Sequence, residues 1–220
     1  FLTFLINTLL ILFNVSAYSQ TIGVYGGLHK SGLSDFRKRA LDGAASYSDR
    51  GKWEVRAGIN ASKKFGKSFG VKAAIGIEKF GTDLIITSAP HPETYTTDIQ
   101  VEKTSVTIAL YPVCLHFLRH VEFDMGFEYS FLMKEYNSGV YYITSNLDNA
   151  SIIDDRLVNI NNKSIPGIRA NLSYEISLGS KLSFSPEYSL YLGLKPEFTK
   201  EKTDLKAIKN YLGLQINYQF

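Results

Sequence analysis

The sequence predicts an all-β fold, an eight-stranded antiparallel up-and-down transmembrane β-barrel with short turns at one end and long loops at the other. Three observations carry this expectation. Apolar and polar residues alternate with period two through one segment after another, the pattern of strands with two unlike faces. The connections between these segments read long, short, long, short, long, short, long, which in an up-and-down sheet stacks every long connection at one end. The last segment, Leu212-Gly213-Leu214-Gln215-Ile216-Asn217-Tyr218-Gln219-Phe220, would be an aggregation-prone edge if unpaired. Closure of that strand onto the first removes the edge.

Residues 1 to 19 read as a removable signal segment, which leaves residues 20 to 220 as one barrel domain. Phe1 to Phe13 is almost unbroken apolar sequence, and Ala17-Tyr18-Ser19 supplies small residues before a cut at Gln20. The apolar run is too short for a spanning helix. The chain opens on Phe1 without a methionine or a basic region, so a few preceding residues are expected to be missing. Cys114 is the sole cysteine, which excludes an internal disulfide and a lipidated cysteine after the cut.

The first strand is expected over Thr21 to Leu28, where Ile22, Val24 and Leu28 alternate with Gly23, Tyr25 and Gly27. A long polar connection, carrying Lys30, Arg37, Lys38, Arg39 and Asp42, then runs from His29 to Gly51. In the second strand Trp53, Val55, Ala57, Ile59 and Ala61 oppose Glu54, Arg56, Gly58, Asn60 and Ser62. Lys63-Lys64-Phe65-Gly66-Lys67-Ser68 has the glycine and polar content of a tight turn. The third strand returns with Phe69, Val71, Ala73, Ile75 and Ile77 against Gly70, Lys72, Ala74, Gly76 and Glu78. From Gly81 to Lys103 the chain reads as a second long loop, with Pro90-His91-Pro92 opposing regular structure.

Strand four covers Thr104 to Phe117, with Tyr111, Val113, Leu115 and Phe117 set against Pro112, Cys114 and His116. Pro112 cannot donate to a ladder, so a bulge or kink is expected there. After the short turn Leu118-Arg119-His120, strand five places Val121, Phe123, Met125, Phe127, Tyr129 and Phe131 opposite Glu122, Asp124, Gly126, Glu128 and Ser130. A third long connection spans Lys134 to Ser164. Strand six sets Ile168, Ala170, Leu172, Tyr174 and Ile176 against Gly167, Arg169, Asn171, Ser173 and Glu175. Past the turn Gly179-Ser180-Lys181, strand seven sets Leu182, Phe184, Tyr188 and Leu190 against Ser183, Ser185, Glu187 and Ser189, with Pro186 again marking an irregularity. A fourth polar connection, Gly193 to Lys206, leads to the final strand.

No stretch of the mature chain reaches the ~20 apolar residues of a membrane helix. Yet 28 of the 220 residues are Tyr or Phe, and Trp53, Phe69, Phe117, Phe131, Tyr174, Tyr188, Tyr218 and Phe220 are expected near strand ends, as interfacial girdles require. A net charge of +3 is too small to suggest nucleic acid. A soluble lipocalin-like cup shares the strand count but has an apolar interior. The glycines and charges of the second face suit a narrow packed lumen better. That lumen would hold Glu54, Arg56, Lys72, Glu78, Glu122, Asp124, Glu128, Arg169, Glu175 and Glu187. Such groups must pair or stay wet. They either plug the barrel with internal salt bridges or, given their excess of acids over bases, line a narrow ion path.

Catalysis by a barrel enzyme needs a nucleophile beside a base oriented by a carboxylate. His29 and His91 fall in or beside loops, while His116 and His120 fall near a turn. His116 can face Glu122 across that turn, but no serine stands in a matching position, so no enzyme is expected. Asn146, Asp148, Asn149, Asp154 and Asp155 offer oxygen ligands without the fixed spacing of a calcium loop, so no metal is expected. Tyr136, Tyr141 and Tyr142 are loop aromatics able to anchor a partner or to extend strands. Cys114 reads as a small buried residue.

The ending Tyr218-Gln219-Phe220 resembles the C-terminal signal that barrel-insertion machinery reads in bacterial outer-membrane proteins, which makes Ile216, Tyr218 and Phe220 an expected assembly signal. Nearly all of the mature chain resembles the PorT-like outer-membrane β-barrel proteins of the Bacteroidota. The resemblance rests on Ile22-Gly23-Val24-Tyr25-Gly26-Gly27, on Gly76-Ile77-Glu78-Lys79-Phe80 and on Tyr111-Pro112-Val113-Cys114-Leu115-His116-Phe117. In the last of these His116 stands where a basic residue is common. Gln20 at the cut is also similar to signal peptides of that phylum. The resemblance implies an integral outer-membrane barrel with both termini periplasmic. Contacts with outer-membrane lipid and with the insertion machinery are expected, as is partner binding through extracellular loops within an envelope complex, with no cofactor and no nucleic acid. The family's named member serves type IX secretion, but no residue here matches a secretion-specific one.

Overall fold

Strand pairing closes this chain into a ring in the computed structural model, which describes residues 20–34, 45–65, 68–88, 94–117, 120–144, 149–153, 162–200 and 203–220. In chain order the strands are β1 (Gln20–Ser34), β2 (Ala45–Gly51), β3 (Trp53–Phe65), β4 (Phe69–Ser88), β5 (Thr94–Phe117), β6 (Val121–Thr144), β7 (Asn149–Ile153), β8 (Ser164–Tyr174), β9 (Ile176–Ser177), β10 (Leu182–Gly193), β11 (Phe198–Lys200) and β12 (Thr203–Gln219). Eight form the barrel in the order β1-β3-β4-β5-β6-β8-β10-β12, each antiparallel to the next. β12 then pairs with β1 from Thr21 opposite Gln219 to Ser34 opposite Lys206, so the last strand does close onto the first. Phe220 N–H adds a bond to the Gln20 carbonyl at 3.0 Å. The expected signal segment, Arg37, Lys38, Arg39, Asp42, Gly66, Lys67, Pro90, His91, Pro92, Leu118, Arg119, Asn146, Asp148, Asp154 and Asp155 lie outside the described residues, as do the side chains of Tyr141, Tyr142 and Asn149.

Burial follows the sequence period. Along β10, Ser183, Ser185, Glu187, Ser189 and Tyr191 are buried, while Leu182, Pro186, Tyr188 and Leu190 are exposed. The same alternation exposes Ile22, Val24, Val55, Ile59, Ile75, Ile77, Phe127 and Leu212 on the outer wall. An apolar outside around a charged inside is the inverse of a soluble cup and is the arrangement of a transmembrane barrel. On β4 the outward face stays apolar from Phe69 until Lys79. Ten steps of ~3.3 Å at a tilt of ~40° give a band about 25 Å tall, the height such barrels present to lipid. Phe69, Phe117, Tyr174, Tyr218 and Phe220 are exposed at the turn end of this band, with Trp53 and Phe131 toward the loop end. Tyr188 departs from the expected girdle, since it lies mid-strand opposite Leu172 and Leu212.

The long connections are shorter than the sequence suggests. β4, β5 and β6 run for 20, 24 and 24 residues. Most of the expected loop Gly81 to Lys103 is therefore a hairpin extension, with Thr82–Ser88 paired to Tyr95–Val101. β2 pairs with the top of β4 and β7 with the top of β6, building a five-stranded sheet β2-β4-β5-β6-β7 beyond the ring. Threonine, isoleucine and valine supply strand propensity there, but above the lipid neither face needs to be uniformly apolar, so the alternation that marks the barrel strands fades.

The bulge expected at Pro112 is present. Registers shift between Leu110 and Val113 against β6, and between Gly70 and Lys72 against β5. It also reverses one assignment, because the extra residue turns Tyr111 inward, 2% exposed, instead of outward with Val113. Pro186 causes no register shift. It stays opposite Leu214 on β12, and the irregularity is a gap in the ladder between Phe184–Ile176 and Glu187–Ser173. A second bulge, absent from the sequence reading, separates Thr104 from Ser105 against β6.

Candidate functional site

The centre of the lumen is a knot of charge. Strand alternation aims Arg56 from β3, Glu78 from β4, Glu128 from β6, Arg169 from β8 and Lys209 from β12 at one level, all at most 3% exposed. The Arg169 fork grips Glu128 with both arms, Nε to Oε2 at 2.7 Å and Nη2 to Oε1 at 2.8 Å. Its Nη2 also reaches Glu78 Oε2 at 3.1 Å, and Nη1 donates to Ser189 Oγ at 3.0 Å. Arg56 Nη2 donates to Glu128 Oε2 at 2.8 Å and its Nε lies 3.5 Å from Glu78 Oε2. Lys209 donates to the other oxygen of Glu78. His29 Nε2 donates to the Lys79 carbonyl at 2.5 Å, with Nδ1 3.6 Å from Glu78.

Four inward tyrosines wrap this knot. Arg56 sits over the rings of Tyr25 and Tyr211 at 5.0 and 5.5 Å, and Arg169 over Tyr191 at 5.0 Å. Lys209 stands 4.5 Å from the Tyr191 centroid. Tyr111 covers the turn side, 6.0 Å from Lys72 Nζ. The rings fit because glycines lie beneath them. A Cβ at Gly167 would stand 2.2 Å from the Tyr191 ring, and one at Gly213 would stand 1.9 Å from Tyr211 Oη. The lumenal glycines and tyrosines are therefore one packing device.

Below the knot, toward the turns, lies a looser cluster. Lys72 Nζ donates to Asp124 Oδ2 at 2.8 Å and to Gln215 Oε1 at 3.2 Å, and lies 3.6 Å from Glu122. His116 Nδ1 is 3.3 Å from Glu122 Oε2, the pairing the turn geometry predicts. Gln215 links to Asn60 and Asn217. Above the knot, Glu197 forms an ion pair with Lys103 at the loop-end mouth, where Asn162 Nδ2 donates to the Pro196 carbonyl at 2.9 Å. Spaces of about 10 Å³ remain on either side of the knot, one beside Lys103 and Glu197 and one beside Asn60 and Glu187. Each has room for about one water.

Of the ten charges predicted for the lumen, eight are brought together in these two clusters. Two are not. Glu175 is half-exposed at the turn-end rim, 3.5 Å from Lys64. Glu54 is half-buried against Gly81, next to Lys52, at the loop-end rim. The predicted excess of acids also disappears. Lys103, Lys209 and Glu197 join the set, so that among the described residues Arg56, Lys72, Lys103, Arg169 and Lys209, with Lys63 buried as well, stand against Glu78, Glu122, Asp124, Glu128, Glu187 and Glu197. Lys209 and Tyr211 were legible by extending the parity of Gly213, Gln215 and Asn217 backward. Lys103 and Glu197 lay in stretches that read as loops.

The arrangement pairs most of these charges with one another. Among the described residues no group of three or more His, Cys, Asp or Glu side chains could hold a metal. Ser189 is engaged by Arg169, and Cys114 Sγ lies 3.5 Å from the Tyr111 carbonyl. Ile216, Tyr218 and Phe220 stand on the outer wall, with the two aromatic rings edge to face at 5.1 Å.

No protein-family model matches the chain, and no curated protein matches it. Solved outer-membrane barrels do. The chain is similar to Ail, the attachment invasion locus protein of Yersinia pestis, at 13% identity and a TM-score of 0.39, covering 92% of this chain and 99% of that one. It is similar to Neisserial surface protein A at 8% identity and 0.41, covering 90% and 97%. It is also similar to OprG from Pseudomonas aeruginosa at 11% identity and 0.43, covering 92% and 97%. The fold stands on this chain's own strand pairing and sidedness.

Proposed function

We propose that this protein is a non-enzymatic outer-membrane barrel that acts through its outer wall and loop-end sheet rather than through its lumen. The observation that carries the reading is the knot itself. Arg56, Glu78, Glu128, Arg169 and Lys209 bridge the lumen from five strands, and tyrosines fill the space around them. A path for ions would have to break buried ion pairs, which is costly. The turns and both chain ends then face the periplasm, and the sheet β2-β4-β5-β6-β7 projects outside the cell. Partner binding within an envelope complex gives that sheet a task; a role in type IX secretion, the task of the PorT-like family's named member, is one form of it.

Two measurements test this. In planar bilayers the purified protein should show no conductance steps; steps that change on Arg56→Gln or Arg169→Gln would replace the reading with a channel. A gentle-detergent pull-down of the tagged protein from native outer membranes should bring down envelope proteins in fixed ratio, and recovery of the barrel alone would count against a complex. The C-terminal signal has its own test, since Phe220→Asp should lower the fraction of heat-modifiable, inserted protein several-fold. Normal insertion of that variant would remove the signal argument.

A further inference from the structure

We propose that the outer wall carries a binding site for the phosphate-bearing headgroup of an anionic membrane lipid, where the apolar band meets the loop-end sheet. An open concavity of about 510 Å³ lies there; Lys79, Thr104, Lys134 and Tyr136 line it together with three carboxylates, Glu54, Glu102 and Glu135. Thr104 pairs with Lys79 on one side and Lys134 on the other, so one short rung across β4, β5 and β6 carries both ammonium groups. Lys79 ends the outward apolar series of β4, about 25 Å along the barrel axis from Phe69, which is where headgroups meet a protein wall.

The acids and bases around this concavity balance in number, and what favours an anion is the unpaired state of the two rung lysines. Both lysines are exposed, and neither has an ion-pair partner among the described residues. Nearby Lys52, by contrast, is shared between Asp83 at 3.0 Å and Glu102 at 3.6 Å, which occupies the carboxylate of Glu102. At the other end of the barrel Lys64 is likewise paired, with Glu175. Lysines at a membrane surface lay their methylene stems on apolar wall and lift the ammonium to headgroup level. Exposed Met133 and Tyr136 supply apolar and interfacial surface on the same strand, and the bulge between Thr104 and Ser105 splays it. A single anionic headgroup bridging Lys79 and Lys134, with Thr104 donating its hydroxyl, satisfies all three.

This inference rests on the transmembrane reading, and the test separates the two. The full barrel would be folded into vesicles of phosphatidylcholine alone and of phosphatidylcholine with phosphatidylglycerol in equal parts. Heat-modifiable migration in the first reports insertion; failure to insert overturns the transmembrane reading and this site with it. In nanodiscs of the mixed lipids, native mass spectrometry should show phosphatidylglycerol retained over phosphatidylcholine, and Lys79→Gln and Lys134→Gln should each lower that preference roughly fivefold, the factor expected per lysine near an anionic surface. Lys64→Gln should leave it unchanged. Millimolar inorganic phosphate should not displace the bound lipid, because a free anion lacks the acyl anchor. Equal retention of the two lipids by the wild type, or undiminished preference in the inserted Lys79→Gln/Lys134→Gln double variant, overturns the site.

Discussion

At the centre of the lumen two carboxylates, Glu78 and Glu128, are shared by three cations, and aromatic rings cover what the ion pairs leave open. Toward the turns one ammonium, Lys72, serves both Asp124 and Glu122, while Glu122 and His116 stay within reach of solvent. The difference follows from side-chain shape. A guanidinium is a planar fork that can hold a carboxylate with two arms and stack both faces on rings, so a dry centre can be neutralised without water. An ammonium is a compact point charge that prefers hydration, and it serves where the barrel opens. Within one barrel, the central level is therefore built around two arginines, with Lys209 as a third cation, and the level nearer the turns around a lysine alone.

Breaking the centre should have the largest effect. Glu128→Ala strands Arg56 and Arg169 in a buried site, and removing one partner of such a set costs about 3–5 kcal/mol; urea unfolding in vesicles should show it. Next comes Lys72→Gln, which keeps a donor for Asp124 but removes the charge and should cost about 1–3 kcal/mol by the same measurement. A loss equal to that of Glu128→Ala would erase the distinction between the two levels. Gly167→Val places atoms where the Tyr191 ring lies and should also cost about 1–3 kcal/mol. Relief of that loss by Tyr191→Ala in the same chain would show that the two positions form one device. Smallest of all is Lys64→Gln at the rim. Its pair with Glu175 is roughly one-third exposed on each side, so the change should stay within about 1 kcal/mol and shrink further in high salt.

Most of the barrel was legible because its determinant is local. Lipid outside and packed charge inside force alternation residue by residue, so Trp53 to Ala61, Val121 to Phe131 and Leu212 to Phe220 announce their faces without reference to any neighbour. The same rule misleads where its cause is absent. Thr82–Ser88 and Asn149–Ile153 lie beyond the lipid, the demand for one apolar face lapses there, and strands were read as loops. It also fails across an inserted residue, as Tyr111 shows beside the bulge.

The sequence by itself thus determined the number of barrel strands, their sidedness and most of the residues that enter the lumen, because each depends on a period of two along the chain. Only the tertiary structure decided which of them meet. Arg56 and Glu128 are 72 residues apart, and Lys209 and Glu78 are 131 apart. Their encounter depends on the register of every intervening strand and on the closure of β12 against β1. That is why the charges could be named from the sequence, whereas the balance between them, the glycine seats of the tyrosines and the ion pair of Lys103 with Glu197 could not. Pairing inside a closed ring is set by shear and geometry around the whole circle, and no local pattern encodes it.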